Sequence, residues 1–378
     1  MTKAAELAKM GEVITNGQVG GRRNMLINGS MQISERGTSL AMAHDGLTGQ
    51  HLIDRWRISL GGTHEQLDGT YAQVADHPFG GNGKSLKWTT GTAESSYDAD
   101  EYAYVVQIIE AQNCQHLKYS TSDAETITIS FHVKSSITGT YALGLYKPDS
   151  TSRIFNQTYT IDSANTWEKK TLTFVGDTDS GAAIVNDNGQ GLWISWHLAT
   201  GSNYTGGGST SGWVNYSNDK WADGQATNAV MTTASATWQL ADCQVEVGSQ
   251  ATPFEHLSVG ESLSLCQRYY RLIDDGDNTS AFVNAAIYTA SKAYGVITLS
   301  PPMRTTPSLE QVTGTNYYQI LTNGAGHNFD SFVLSSGNST NKTARFNNNE
   351  NFSTVTASHS GWFKTANTSA HLALEAEL

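Results

Sequence analysis

Residues 125–136 read ETITISFHVKSS. Ile127, Ile129, Phe131 and Val133 alternate with Thr128, Ser130 and His132, a period of two that sends each set to one face of an extended strand. The same signature recurs along the first two-thirds of the chain: LIDRWRISL, TYAQVAD, SLKWTTG, EYAYVVQIIE, TYALGLYK, FNQTYTI, WEKKTLTFVG, GLWISWHLA and ATWQLADCQVEVG. Each run alternates or is continuously apolar, and Gly, Asn, Asp or Ser clusters bound it. About ten such runs with no helical stretch between them predict an all-β architecture, an antiparallel sandwich of the jelly-roll kind over residues 23–257.

Working outward, VEVGSQATPFEHLSVGESLSLCQRYY (245–270) closes the last of these strands and turns at Pro253. Ser258 and Glu261 have capping-box spacing, and Val259, Leu263, Cys266 and Tyr270 follow at intervals of four, three and four, which predicts a linker helix over 258–273 with one seam. Strand-like runs then resume, including AFVNAAIYTAS and AYGVITLS as a hairpin and a last strand running to Leu378, so a C-terminal antiparallel β-domain is expected over 274–378. At the other end, Leu7, Met10 and Ile14 make a narrow stripe, and a short N-terminal helix is expected within residues 1–22.

Composition excludes several classes. Hydrophobic residues make up 38% and charged residues 15% of the 378 positions, too little charge for a long coiled coil. The net charge of −12 disfavours nucleic acid and anionic membrane surfaces, both of which reward Lys and Arg. No apolar run approaches the roughly 20 residues that span a bilayer, and the N-terminus lacks the apolar core of a secretory signal. The three cysteines, Cys114, Cys243 and Cys266, are widely separated, which fits small buried side chains and not a disulfide framework.

The search for catalytic chemistry finds no motif that completes. FGGNGKS ends like a phosphate loop, but Pro78 stands where its first glycine belongs. The histidines show no metal-ligand spacing, so neither a metal nor a cofactor is expected. Asp76, Asp177 and Asp179 are loop carboxylates of the kind that hold calcium, without the spacing of a known loop. Asp98, Asp100 and Glu101, or Asp219 and Asp223, could pair for glycoside hydrolysis, which keeps a polysaccharide depolymerase as the alternative reading. The other constellation is aromatic. In the irregular stretch 200–228, Tyr204, Trp213, Tyr216, Trp221 and Asn228 sit among glycines and amides, as do Tyr97 and Tyr102 nearer the start. Flat rings stack on the C–H faces of sugars while amides read the hydroxyls, so these residues are the candidate glycan contacts. Trp56, Trp88, Trp193, Trp196 and Trp238 lie within strand patterns and are expected in the core.

GGRRNMLINGSMQISERGTS near the start, LIDRW shortly after, QVEVGSQATPFEHLSVGESLSLCQRYY and PPMRTTPS form an ordered series. With these motifs the chain resembles fibre and appendage proteins of tailed bacteriophages, particularly podoviruses of marine bacteria. The resemblance implies a virion protein made in a bacterial cytoplasm, with an N-terminal segment held by other virion proteins. It also implies a carbohydrate-binding jelly roll and a homotrimer, and it supplies no agreed catalytic residues to carry over. A closed ring of three chains needs a seam, and Leu7, Met10, Ile14, Val259, Leu263, Cys266 and Tyr270 are where one could run. The expected function is attachment to a host-surface glycan without catalysis; a purely structural module with no ligand is the further alternative.

Overall fold

A computed structural model describes Lys3 and residues 22–43, 49–276, 281–349, 355–357 and 359–378. The stripe of Leu7, Met10 and Ile14 lies outside the described residues. The chain divides into two units, Met1–Ser262 with Leu378, and Leu263–Glu377.

The first unit contains β1 (Ser39–Ala43), β2 (Gln50–His51), β3 (Arg57–Gly61), β4 (Asp68–Val74), β5 (Ser85–Thr90), β6 (Tyr102–Glu110), β7 (Ile127–Ser135), β8 (Gly139–Lys147), β9 (Arg153–Ile161), β10 (Glu168–Phe174), β11 (Gln190–Thr200), β12 (Val214–Asn215) and β13 (Thr237–Val247), with a short helix α1 (Ala229–Thr232). One sheet has the order β1-β4-β5-β13-β7-β10 and the other β12-β9-β8-β11-β6-β3-β2, and the pairing is antiparallel throughout. The predicted jelly-roll sandwich is therefore the observed fold, and each of the ten strand-like runs forms a strand. β1, β2 and β12 were not anticipated. All three are edge strands, and two have just two residues, too short for any period to register.

The sandwich closes on the alternation of β7. Ile127, Ile129, Phe131 and Val133 are fully buried between the sheets. Phe131 meets Tyr159 and Trp196 edge-on, with ring centroids 5.1 and 5.7 Å away, and Trp196 in turn packs 5.4 Å from Trp56. Trp88 and Trp238 face each other across β5 and β13. Four of the five strand tryptophans are thus core, as expected. Thr128 and Ser130, on the opposite parity, are also buried, so β7 is covered on both faces near its start.

Residues 22–34 enter this core without regular structure, which obliges their backbone groups to find side-chain partners. Glu255 accepts from the Arg23 and Asn24 amides at 3.0 and 2.9 Å. Asn24 spans to the Cys243 carbonyl and the Val245 amide. Gln107 clamps Ile27 by both its N–H and its carbonyl, at 2.7 and 2.9 Å. The Trp56 indole donates to the Asn28 carbonyl at 3.0 Å. Three of the motifs quoted above, NMLINGS, LIDRW and PFEH, meet in this polar lock.

Helix α2 (Val259–Cys266) begins with the predicted capping box. The Ser258 amide donates to Glu261 at 3.0 Å, and the Glu261 amide donates back to the Ser258 hydroxyl at 3.3 Å. It is shorter than the expected 258–273. Tyr270 is not on it but opens a strand, so the four-residue seam does not exist as one helical stripe: Val259 is exposed, Leu263 half-buried, and Cys266 and Tyr270 buried. The sequence around Arg268–Ile273 has a strand's aromatic and β-branched content, and pairing with a partner strand overrides the heptad-like spacing.

The second unit contains β14 (Tyr270–Asp274), β15 (Ala281–Thr289), β16 (Lys292–Thr298), β17 (Ser308–Val312), β18 (Tyr318–Thr322), β19 (Ala325–Phe329), β20 (Phe332–Leu334), β21 (Thr343–Asn348), β22 (Ser360–Thr365) and β23 (His371–Glu375). They form a three-stranded sheet β14-β23-β17 and a seven-stranded sheet β19-β18-β22-β15-β16-β21-β20. The β15–β16 hairpin is as expected. The last strand stops at Glu375 and not at the final residue. Phe329, Phe332, Phe346, Phe363 and Tyr318 fill a separate core, with Phe332 within 4.9 Å of Tyr318, Phe329 and Phe363.

Phe131→Ala should cost about 3–5 kcal/mol, the usual range for emptying a buried aromatic site. Urea unfolding of the variant against wild type reads this directly, and a loss below ~1 kcal/mol would mean that β7 is not the centre of the core.

Candidate functional site

The parity that places Ala103, Val105 and Ile109 of β6 in the core sends Tyr102, Tyr104, Val106 and Ile108 to the outer face of the second sheet. On β8, Tyr141, Leu143 and Leu145 point in and Tyr146 points out. On β11, Leu192, Ile194 and Trp196 point in and Trp193 points out. This outer face is therefore aromatic, and Trp193 pairs in register with Tyr146, their rings 5.6 Å apart. Tyr102 lies flat across β3, where Gly61 leaves room for it: a Cβ there would sit 2.2 Å from the Tyr102 ring.

The segment 200–228 folds over part of this face and is fixed by buried polar groups. Asp223 accepts from the Gly206 and Ser209 amides at 2.8 and 2.7 Å. Asn156, reaching past Gly144, donates to the Ser209 hydroxyl and the Lys220 carbonyl, each at 2.7 Å. The Ala222 amide donates to the Tyr204 carbonyl at 2.9 Å. So held, Trp221 is 8% exposed and sits edge-on to Tyr104, Tyr146 and Trp193, with centroids 5.3, 5.5 and 6.0 Å away.

The part of the face left open is a cleft of about 400 Å³. Tyr102, Tyr104, Tyr146, Pro148, Gln190 and Trp193 line it from the sheet, and Tyr204, Tyr216, Asn218 and Trp221 from the covering segment. None of these ten carries a formal charge. Tyr102 stacks on Tyr104 at 5.7 Å and meets Tyr204 edge-on at 5.4 Å. The Tyr216 hydroxyl donates to Asn218 at 3.0 Å, and the Trp193 indole donates to Gln190 at 3.2 Å. Burial pushes the Tyr216 phenol up to about 12 and raises those of Tyr102 and Tyr204, so all three remain neutral donors at physiological pH. Arg57 lies over the Trp193 ring at 4.9 Å and holds its orientation.

Of the five residues expected to contact a ligand, the structure brings three together: Tyr204, Tyr216 and Trp221. Trp213 is not among them. Its ring packs against Tyr119 and Phe155 at the core margin, and its indole donates to the Val175 carbonyl at 2.8 Å. Asn228 is spent on the backbone of Thr200, accepting at 2.8 Å and donating at 3.1 Å. Tyr102 lines the cleft, whereas Tyr97 packs on the core. Trp193, expected in the core, lines the cleft instead, because its parity is opposite to that of Trp196.

The loop carboxylates have other employment. Asp76 accepts from Lys134 at 2.6 Å and Trp167 at 3.2 Å, and Asp177 and Asp179 are paired with Arg153, so these three make no common calcium site. Asp98, Asp100, Glu101, Asp219 and Asp223 do not line the cleft. All three cysteines are buried, and none forms a disulfide with another.

No protein-family model matches the sequence, and no curated protein matches it. Solved structures similar to the chain include the enzymatically active domain of tailspike protein 4 of bacteriophage CBA120, at 10% identity and a TM-score of 0.29; 60% of this chain aligns, to 21% of that one. A family 4 carbohydrate-binding module aligns over 58% of this chain and 98% of its own length, at 13% identity and a TM-score of 0.29. A sugar-binding protein, so described provisionally, from Bacteroides thetaiotaomicron aligns over 60% of this chain and all of its own, at 9% identity and a TM-score of 0.28. The chain thus spans about a fifth of the tailspike domain.

Two outcomes follow from this geometry. Asp223→Ala leaves two loop amides without their acceptor and should cost about 1–3 kcal/mol, with new proteolytic cleavage between 204 and 223 as the local readout. His197 lies beneath Trp221, and neither ring nitrogen has a hydrogen-bond partner. Burial lowers it to about 3 from an ordinary 6.5. The unfolded chain then binds the extra proton, so His197 contributes instability that grows as pH falls from about 6.5 towards 3, at a slope approaching ~1.4 kcal/mol per unit. Wild type should lose stability over that window faster than His197→Leu; parallel curves for the two would refute the buried neutral imidazole.

Proposed function

We propose that the cleft on the outer face of the second sheet binds a neutral saccharide without chemical turnover. The observation that carries this is the lining itself: seven aromatic side chains, framed by Gln190 and Asn218, with no formal charge. Apolar ring faces gain by covering sugar C–H faces, and amides and phenols pair with hydroxyls that would otherwise lose water unpaired. The volume, about 400 Å³, falls in the range of ~300–1,000 Å³ common to small-molecule sites. The paired carboxylic acids of glycoside hydrolysis have no place among the described lining residues, which supports binding over depolymerisation.

The setting we propose is the fibre or appendage of a tailed phage, assembled as a homotrimer, joined to other virion proteins through the N-terminal segment and meeting the host-surface glycan through this cleft. The ordered motifs support it, and three of them meet in the polar lock of the sandwich.

A glycan array should return neutral oligosaccharides. Titration of those bound should then show Trp193→Ala and Tyr216→Ala each weakening affinity by about tenfold, or ~1.4 kcal/mol, with Trp213→Ala near wild type. Equal losses at Trp213 and Trp193, or no loss at Trp193, would place the site elsewhere. Light scattering on the purified chain tests the trimer: a monomer mass at micromolar concentration excludes it as a stable assembly of this chain.

A further inference from the structure

Three buried side chains that do not line the cleft converge next to its wall. His64 comes from the loop after β3, and Glu94 and Glu101 from the loop between β5 and β6. Their side chains are 3%, 1% and 1% exposed. The His64 Nδ1 stands 3.5 Å from Glu94 Oε1 and 3.3 Å from Glu101 Oε1, and neither imidazole nitrogen has a well-aligned hydrogen-bond partner, although the Tyr102 backbone also faces the ring. The three ligand atoms lie within 4.8 Å of one another.

The contacts are long for charge-assisted hydrogen bonds, which run at ~2.7–2.9 Å. They suit a different geometry. Zinc holds nitrogen and carboxylate oxygen at ~2.0–2.2 Å, and a tetrahedron of that radius has edges of about 3.3–3.6 Å. Both observed separations fall on such an edge. An octahedral magnesium site at ~2.0–2.1 Å needs adjacent ligands about 2.9 Å apart, and calcium wants six to eight oxygens. Imidazole nitrogen and carboxylate oxygen are both zinc ligand types, and three of them leave the fourth position of a tetrahedron to water.

The surroundings prepare this set. The Leu67 and Gln66 amides donate to Glu94 Oε1 at 3.0 and 3.3 Å, and the Asp98 amide donates to Glu101 Oε2 at 2.8 Å, leaving Glu101 Oε1 turned to His64. Two buried carboxylates beside one imidazole are costly without a dication.

We propose that His64, Glu94 and Glu101 bind one zinc ion, with water completing its shell, and that this ion ties the β3–β4 loop to the β5–β6 loop. The second of these loops also positions the cleft. The Gly201 amide donates to the Glu101 carbonyl at 2.7 Å and the Asn203 amide to the Ala99 carbonyl at 3.0 Å, next to Tyr102 and Tyr204.

The test uses the full chain, stripped with chelator and dialysed, then titrated with zinc, calcium or manganese chloride. The expected result is one zinc per chain with a melting temperature raised by several degrees, and no comparable shift with calcium. Glu94→Gln and His64→Gln should each weaken zinc binding by more than the roughly 10–100-fold that loss of an outer-shell partner costs. Cobalt in place of zinc keeps the proposal testable if a variant does not fold, because it reads geometry in the wild type: intense visible bands of a tetrahedral ion support the site. Pale octahedral bands, absence of stoichiometric zinc, calcium bound as well as zinc, or zinc retained in folded His64 and Glu94 variants would each overturn it. Because the readouts involve no saccharide, they stand apart from the fate of the cleft.

Discussion

Trp221 is the contact on which the rest of the cleft depends. Its ring lies edge-on to Tyr104, Tyr146, Trp193, Tyr216 and His197, five side chains drawn from the sheet and from its own loop. An outward aromatic face on a sandwich is an exposed apolar patch unless something covers it. Trp221 covers the middle and leaves the flanks open. Aromatic rings have few rotatable bonds, so packing them against one another fixes the cleft before any ligand arrives. The cost is that a loop rich in glycine must be held still. Asp223 and Asn156 do that by accepting and donating where the loop has no strand to pair with.

A second set of polar groups acts on the scaffold beneath. Asn24, Asn28, Gln107 and Glu255 satisfy the backbone of a buried irregular segment. Such groups stabilise little on balance when paired, yet leave a heavy penalty if one partner is removed. They therefore specify one path for the chain and exclude others. Gln107 is on β6, the strand that also carries Tyr102 and Tyr104 towards the cleft. The same strand thus carries the lock on its inner side and the cleft on its outer side, and its position is set from both.

The sandwich was legible because its strands are long and their period is two. The ten runs that registered are six or more residues in all but one case, whereas the missed β2 and β12 are two-residue edges. The cleft was half legible. Tyr204, Tyr216 and Trp221 could be found as aromatics in a loop too long to be idle. Trp193 was misplaced because GLWISWHLA is nearly all apolar, and an apolar run reads as core on both sides. Its parity carried the missing signal: if Leu192, Ile194 and Trp196 share one face, Trp193 is on the other. Trp213 and Asn228 have no period to read, and just the folded contacts separate them from their neighbours. His64, Glu94 and Glu101 are farther still from legibility, since ligands 30 and 37 positions apart have no spacing motif. The helix ran short for a related reason. Spacing at three and four marks a helix when nothing competes, but Tyr270 has β23 to pair with.

What the two buried clusters share is a loop. The β5–β6 connection holds Glu94 at its start and Glu101 at its end, and the next residue, Tyr102, is the first ring of the cleft. A loop of this length fixed at one end alone would let Tyr102 and its edge-on partner Tyr204 shift together, since Asn203 and Gly201 hang from it by backbone bonds. Fixing both ends converts that mobile pair into part of the rigid wall. The aromatic wall needs such rigidity more than a charged site would. Stacking falls off within an ångström of contact distance, whereas an ion pair tolerates drift. The neutrality of the lining and the buried polar bracing around it are therefore one design: a site that recognises by shape has to be held by groups other than those that touch the ligand.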